Sequence, residues 1–176
     1  MRIVRSCHIP NWVDDEPDDF WDIREWTQEK WRSFFSEKLE LAQYELEMCG
    51  IWPDKWLSLL DSVFVFFEDD KEMLGLDGLA CIVPHHEKVG RVPIYYETAE
   101  ILLHERLLSC ERFKIEEAAC HELAHFVCIV SGRGTRHSED WRRIITGLGF
   151  WREGGREWRD YTTEELLQLE KDYGRA

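Results

Sequence analysis

The segment HELAH at residues 121–125 sets two histidines four positions apart, with a glutamate directly after the first. On a helix this spacing puts both histidines on one face, with Cβ atoms about 5–6 Å apart. Two imidazole nitrogens that share one tetrahedral zinc at about 2.0–2.1 Å lie roughly 3.3 Å from each other. Side chains one turn apart can converge to that distance. Glu122 then points to the rim of the same face, within reach of a metal-activated water. Zinc lowers the pKa of such a water from about 15.7 to about 7, and an adjacent carboxylate can take its proton and pass it to a leaving amine. His121 and His125 are therefore candidate metal ligands, and Glu122 is a candidate catalytic acid/base.

The surrounding sequence supports this reading. FKIEEAACHELAHFVCIVSG is a strongly apolar helical stretch ending at Gly132. Two histidines and a glutamate buried there without partners would be costly, and a ligand role relieves that cost. A catalytic zinc takes a third protein ligand and keeps one position open. His137 is the leading candidate, because GRGTR at 132–136 can turn the chain back before a short helix beginning at Ser138. Two other ligand sets are weighed. Cys81 lies forty positions upstream on an expected strand, in the manner of peptide deformylases, but DGLACIVP lacks their E-G-C-L-S signature. A glutamate from a later segment, Glu153 or Glu157, is the other. Manganese or iron could use the same side chains, although three histidines suit Zn2+ well.

HELAHFVCIVSGRGTRHSEDWRRIITGLG resembles the core of SprT-like zinc metallopeptidases, whose pattern is H-E-L-x-H, a variable loop, then H-G-x-x-F/W. The resemblance is specific over residues 115–149 and looser over 60–114. It implies a zincin-like fold, His121, His125 and His137 as ligands, Glu122 as general base, and Trp141 at the aromatic position. Ser138 stands where the family usually has Gly. Members act as intracellular proteases, several on proteins attached to DNA. The resemblance is not expected to reach the C-terminus, where many relatives carry a zinc ribbon or other nucleic-acid-binding element.

Elements must position these residues. WTQEKWRSFFSEKLELAQYELEMCG has helical apolar spacing with a stop at Gly50. SVFVFFED reads as a strand. LACIVP and RVPIYYE read as a hairpin joined by a turn at HHEKVG. SEDWRRIITGLG reads as a second helix capped by Ser138, and Thr162 with Glu165 forms a capping box for a terminal helix. The expected architecture is α+β: a compact zincin-like domain over 25–150 with a small antiparallel or mixed sheet. It follows an irregular, acidic, Trp-rich arm over 1–24 and precedes an extension over 151–176. Trp12, Trp21, Trp26 and Trp31 are assigned to packing of the core and arm.

Among weaker candidates, His86, Tyr95 and Tyr96 could touch substrate, since a strand preceding such a helix can offer its edge to an extended peptide. The simpler expectation packs one tyrosine in and one out, and leaves His85 and His86 exposed. His8 and His104 read as surface residues, and Cys128 as a small apolar residue beneath the site.

The chain of 176 residues carries a net charge of −14. Residues 1–131 hold 13 Lys+Arg against 27 Asp+Glu, whereas 132–176 hold nine of each. Most of the chain should therefore repel a phosphate backbone, which argues against DNA association. Arg133, Arg136, Arg142, Arg143, Arg152, Arg156 and Arg159 form either a docking surface for an acidic partner or a solvated face paired with Glu139, Asp140, Glu153 and Glu157. Six cysteines without a C-x-x-C pair read as free thiols in a reducing compartment. No segment reads as a signal peptide or a membrane span. The location expected is intracellular: cytoplasmic, or nucleoid or nuclear if DNA-associated. Two function classes follow: a zinc peptidase acting on protein or peptide substrates, or an acidic adaptor with a structural zinc. Glu122 favours the enzyme, because a structural site has no need of a carboxylate there.

Overall fold

In the computed structural model, the residues described are 2–7, 21–69, 73, 76–134, 136–150, 164–165 and 167–168. Their order is β1 (Arg2–Cys7), α1 (Trp21–Arg24), α2 (Gln28–Leu41), α3 (Gln43–Met48), α4 (Pro53–Leu60), β2 (Val63–Glu68), β3 (Gly78–Val89) and β4 (Val92–His104). A 3₁₀ turn (Glu105–Ser109), α5 (Arg112–Val130) and α6 (Glu139–Gly147) follow. The fold is α+β, as expected, and the four strands form one mixed sheet in the order β1-β3-β4-β2. β3 pairs antiparallel with both β1 and β4, and β2 runs parallel to β4 from Val63↔Ala99 to Glu68↔His104.

α2 starts where Thr27 accepts a hydrogen bond from the Lys30 amide at 3.1 Å, leaving the first turn capped. It buries Trp31, Phe35 and Leu39, spaced one turn apart. Trp26, Trp31, Phe34 and Phe35 interlock with ring centroids 4.7–5.9 Å apart, so Trp26 and Trp31 do serve packing. Trp12 and the side chain of Trp21 lie outside the described residues.

Four expectations need correction. The N-terminal segment is not wholly an irregular arm, because Arg2–Cys7 forms an edge strand against β3; a six-residue run with three polar positions carries little strand signal on its own. The single long helix is two, divided at Ala42, whose ψ of 1° leaves the helical range, with no glycine or proline there to mark the break. The turn expected at HHEKVG is mostly strand, and only Gly90 and Arg91 separate Val89 from Val92. A helix not anticipated above, α4, begins with Pro53 in its first turn, where a missing amide donor costs nothing. Of the terminal helix, Glu164, Glu165, Leu167 and Gln168 are helical, while Thr162 and its capping box lie outside the described residues.

Alternation along the strands gives the sheet two buried faces. Ala80, Ala99, Ile101 and Leu103 join the main core with α2–α6. Leu79, Cys81 and Leu102 pack with Met73 and Leu76 in a smaller cluster. α5 lies across this sheet and is buried from Ala118 to Cys128 on every side. An ordinary surface helix is amphipathic, and one apolar all round belongs inside. Polar residues on α5 are therefore placed deep in the molecule by the fold itself.

β2 is a sheet edge, and an exposed edge invites pairing with another chain. Gln28 closes part of it from α2: its side-chain amide donates to the Val65 carbonyl at 2.7 Å and accepts from the Val65 amide at 2.8 Å. Replacing Gln28 by Met, of similar size but without hydrogen bonds, should cost about 1–3 kcal/mol, since both Val65 groups lose their partner. Urea denaturation of Gln28→Met against the parent measures this, and a change within ±0.3 kcal/mol, roughly the scatter of a neutral surface substitution, would contradict it.

Candidate metal centre

The C-terminal end of α5 is built for a sharp turn. Gly132 has φ +69°, its amide bonds to the Ile129 carbonyl at 3.0 Å, and the Arg133 amide bonds to the Cys128 carbonyl at 2.8 Å. This is a Schellman cap, whose left-handed residue is tolerated by glycine at no steric cost. The chain then returns along α5, and α6 begins at Ser138, whose hydroxyl accepts from the Trp141 amide at 3.2 Å. Ser138 adopts ordinary extended backbone, φ −68° and ψ 173°. Serine in place of the family's usual glycine therefore imposes no strain, and it adds a cap.

This return places His137 against the helix. The three Nε2 atoms form a near-equilateral triangle: His121 to His125 3.2 Å, His125 to His137 3.2 Å, and His121 to His137 3.1 Å. His121 and His125 are fully buried and His137 is 7% exposed. They are the one group of metal-binding side chains found among the described residues. The spacing is close to the roughly 3.3 Å separation of two nitrogens on one zinc. Each neutral imidazole offers one lone pair and one N–H, so shared protons cannot satisfy three nitrogens that all face one point. A cation can. The donor set therefore fits a metal held by His121, His125 and His137.

Trp141 closes the back of the cluster. Its ring lies 4.7 Å from His121, 5.4 Å from His125 and 4.4 Å from His137, centroid to centroid, and it is fully buried. Contact with all three rings leaves each imidazole little room to turn. The aromatic position noted in the sequence thus has a mechanical task.

Glu122, next to His121 in sequence on α5, is fully buried. Cys81 on β3 is held up to about 12, first by burial and then by the negative charges of Glu122 and Glu100. Cys81 is therefore a neutral thiol near the glutamate, and it stands outside the histidine group. Cys128 is likewise buried and raised to about 12, chiefly by burial, in keeping with a packing role. Cys49, Cys81, Cys120 and Cys128 are free thiols. Glu153 and Glu157 lie outside the described residues.

The weaker candidates sit elsewhere. Tyr95 and Tyr96 are both exposed, at 68% and 41%, rather than one in and one out, because the β3–β4 ribbon extends past the core. Tyr95 meets His86 edge-on, and Tyr96 stacks on His85 and donates to Glu87 at 2.7 Å. His86 is exposed and His85 is half-buried, bonded to Thr98 at 2.7 Å. His104, expected at the surface, is 4% exposed, and its Nδ1 accepts from the Arg106 amide at the start of the 3₁₀ turn; a strand end closed by a turn leaves it no path to solvent. His8 lies outside the described residues. Sequence reasoning also passed over Glu117, fully buried one turn before His121, which nothing in the run EEAAC distinguishes from its neighbour. Of the basic cluster, Arg133 pairs with Asp140 and Arg143 with Glu139, both at 3.0 Å.

Residues 78–162, a little under half of the chain, match the model of the SprT-like family. That stretch runs from the first residue of β3 through α5 to beyond α6, and the family it is similar to is generally zinc metallopeptidase-like. No curated protein and no solved structure matches the chain. No helix among the described residues is long and apolar enough to cross a membrane.

Metal analysis separates the ligands from their neighbours. Alanine at His121, His125 or His137 should reduce bound zinc from about one per chain to near none, as two ligands hold it poorly. Cys81→Ser should keep it. Mass spectrometry of the four purified variants decides, and a Cys81→Ser protein without metal beside a loaded His137→Ala protein would reverse the assignment.

Proposed function

We propose that this protein is a zinc-dependent metalloendopeptidase of SprT-like type that hydrolyses peptide bonds in protein substrates. The observation that carries the reading is the triangle of three Nε2 atoms with Glu122 next to it on the same helix. Three buried imidazoles suit zinc well. When bound, it supplies Lewis acidity to the scissile carbonyl and to a water molecule.

The chain's own residues do the rest. The three histidines present neutral Nε2 lone pairs toward one point, and Trp141 keeps their rings from turning. Glu122 takes a proton from the attacking water at its carboxylate and delivers it to the amide nitrogen as the C–N bond breaks. Burial of Glu122 strengthens its electrostatic coupling to the reacting groups, because the local dielectric is low. An extended polypeptide is the natural substrate for a site beside a sheet. Proteins attached to DNA are one class to test, although the acidic charge of the chain opposes direct contact with DNA.

Glu122→Gln tests the mechanism. It should keep the zinc and the melting temperature while cleavage of a denatured protein substrate falls by about 10²–10⁴-fold, the usual worth of a general base. Cleavage at the parent rate would remove Glu122 from the reaction. A zinc-loaded parent that cleaves nothing, with or without DNA, would favour a structural metal in an acidic adaptor.

A further inference from the structure

We infer that Arg133 is a positioning residue for the metal centre: it locks the loop that delivers His137, the third ligand. The inference rests on the metal-site reading above. The three ligands are not held alike. His121 and His125 are fixed by a helix buried on every side. His137 comes from the loop between α5 and α6, which has glycines at positive φ at 132 and 134 and hence more backbone freedom than any other part of the centre.

Arg133 closes that loop. Its Nη1 donates to the Asp140 carboxylate at 3.0 Å. Asp140 is the second residue of α6, three positions after His137, so the bond spans the ligand from one side to the other. The same guanidinium donates through Nη2 to the carbonyl of Cys49, at the C-terminal end of α3. The loop is thereby tied both to itself and to a helix distant in sequence. A planar guanidinium aims two nitrogens at two acceptors in fixed directions, whereas an ammonium carries all its donors on one nitrogen at the end of a flexible stem.

The surroundings are cut to admit the guanidinium. Gly50 follows Cys49 with φ +71°, and a Cβ there would stand 3.0 Å from Arg133 Nη2. α3 and α6 also approach closely: a Cβ on Gly147 would stand 3.0 Å from the Ala42 Cβ and 3.1 Å from the Glu45 Cβ. Arg133 thus fastens the loop to a closely packed helix pair. The Arg133–Asp140 pair is partly exposed, 39% and 31%, and such a pair adds little to global stability. Its effect is conformational. An untied loop would spread His137 over many positions, and metal affinity would fall with the fraction that still points into the triangle.

The test is zinc affinity, measured by competition with chromophoric chelators on the full chain. Arg133→Ala and Asp140→Asn should each weaken binding about 10–100-fold, as supporting residues around metal ligands typically do. Arg133→Lys should fall between them and the parent, since its single nitrogen keeps the charge but loses the fixed two-nitrogen fork. In a His137→Ala background, where the remaining pair binds weakly, adding Arg133→Ala should change affinity less than about 2-fold, because the two then share one pathway. A structural role would lower the melting temperature of the metal-free protein without that dependence on His137. Unchanged affinity in Arg133→Ala, or the same loss with and without His137, overturns the inference. Should Arg133→Ala fail to fold, Asp140→Asn and Arg133→Lys carry the same comparisons. A folded parent that takes up no zinc would overturn the metal-site reading, and this inference with it; a parent that binds tightly beside an equally tight Arg133→Ala overturns this inference alone.

Discussion

Three imidazole nitrogens 3.1–3.2 Å apart, in the interior of a protein, set the terms for everything around them. Such a group is unfavourable with its lone pairs facing one another, and favourable only around a cation. The fold must therefore hold the rings in place before the metal arrives and keep competing groups out. α5 does the first by being buried all round, so that His121 and His125 cannot swing to solvent. Trp141 adds to this through its contact with all three imidazole rings. Cys81 and Cys128, two thiols that could compete as ligands, are kept neutral by their burial.

Support for the centre is layered. The sheet lies between two apolar clusters, one shared with the helices and one closed by Met73 and Leu76. Its backbone register is extended sideways by Gln28, which treats Val65 as a strand neighbour would. At the end of β4, Arg106 grips the buried Asp77 carboxylate through Nε and Nη2 at 2.9 and 2.6 Å. This ties the entry to β3 to the turn that leads into α5. The N-terminal helices serve the far side: α3 carries α6, and α6 carries Trp141 and follows directly on His137.

Much of the centre was legible because its chemistry is local. The i, i+4 pair, the adjacent glutamate, the glycine at the end of α5 and the serine cap of α6 all act over a single turn, and each stands where the sequence put it. The resemblance extended further than its most specific residues, to 78–162. Errors arose where packing over long range decides. Arg2–Cys7 is a strand because β3 lends it partners. His104 is buried because a turn folds over it. The HHEKV segment looks like a turn by composition, yet it continues a ribbon whose partner residues are matched across Gly90 and Arg91.

The sequence by itself determined the helix that holds His121, Glu122 and His125, the two caps that bracket the loop, and the metal-binding chemistry open to these residue types. Helical periodicity and capping act between residues a few positions apart, so they can be read without the fold. Only the tertiary structure decided that His137 closes the triangle, that Cys81 does not join it, and that Arg133 reaches the Cys49 carbonyl eighty-four positions away. Those are distances between segments that meet only when the core excludes water, and no local spacing encodes them.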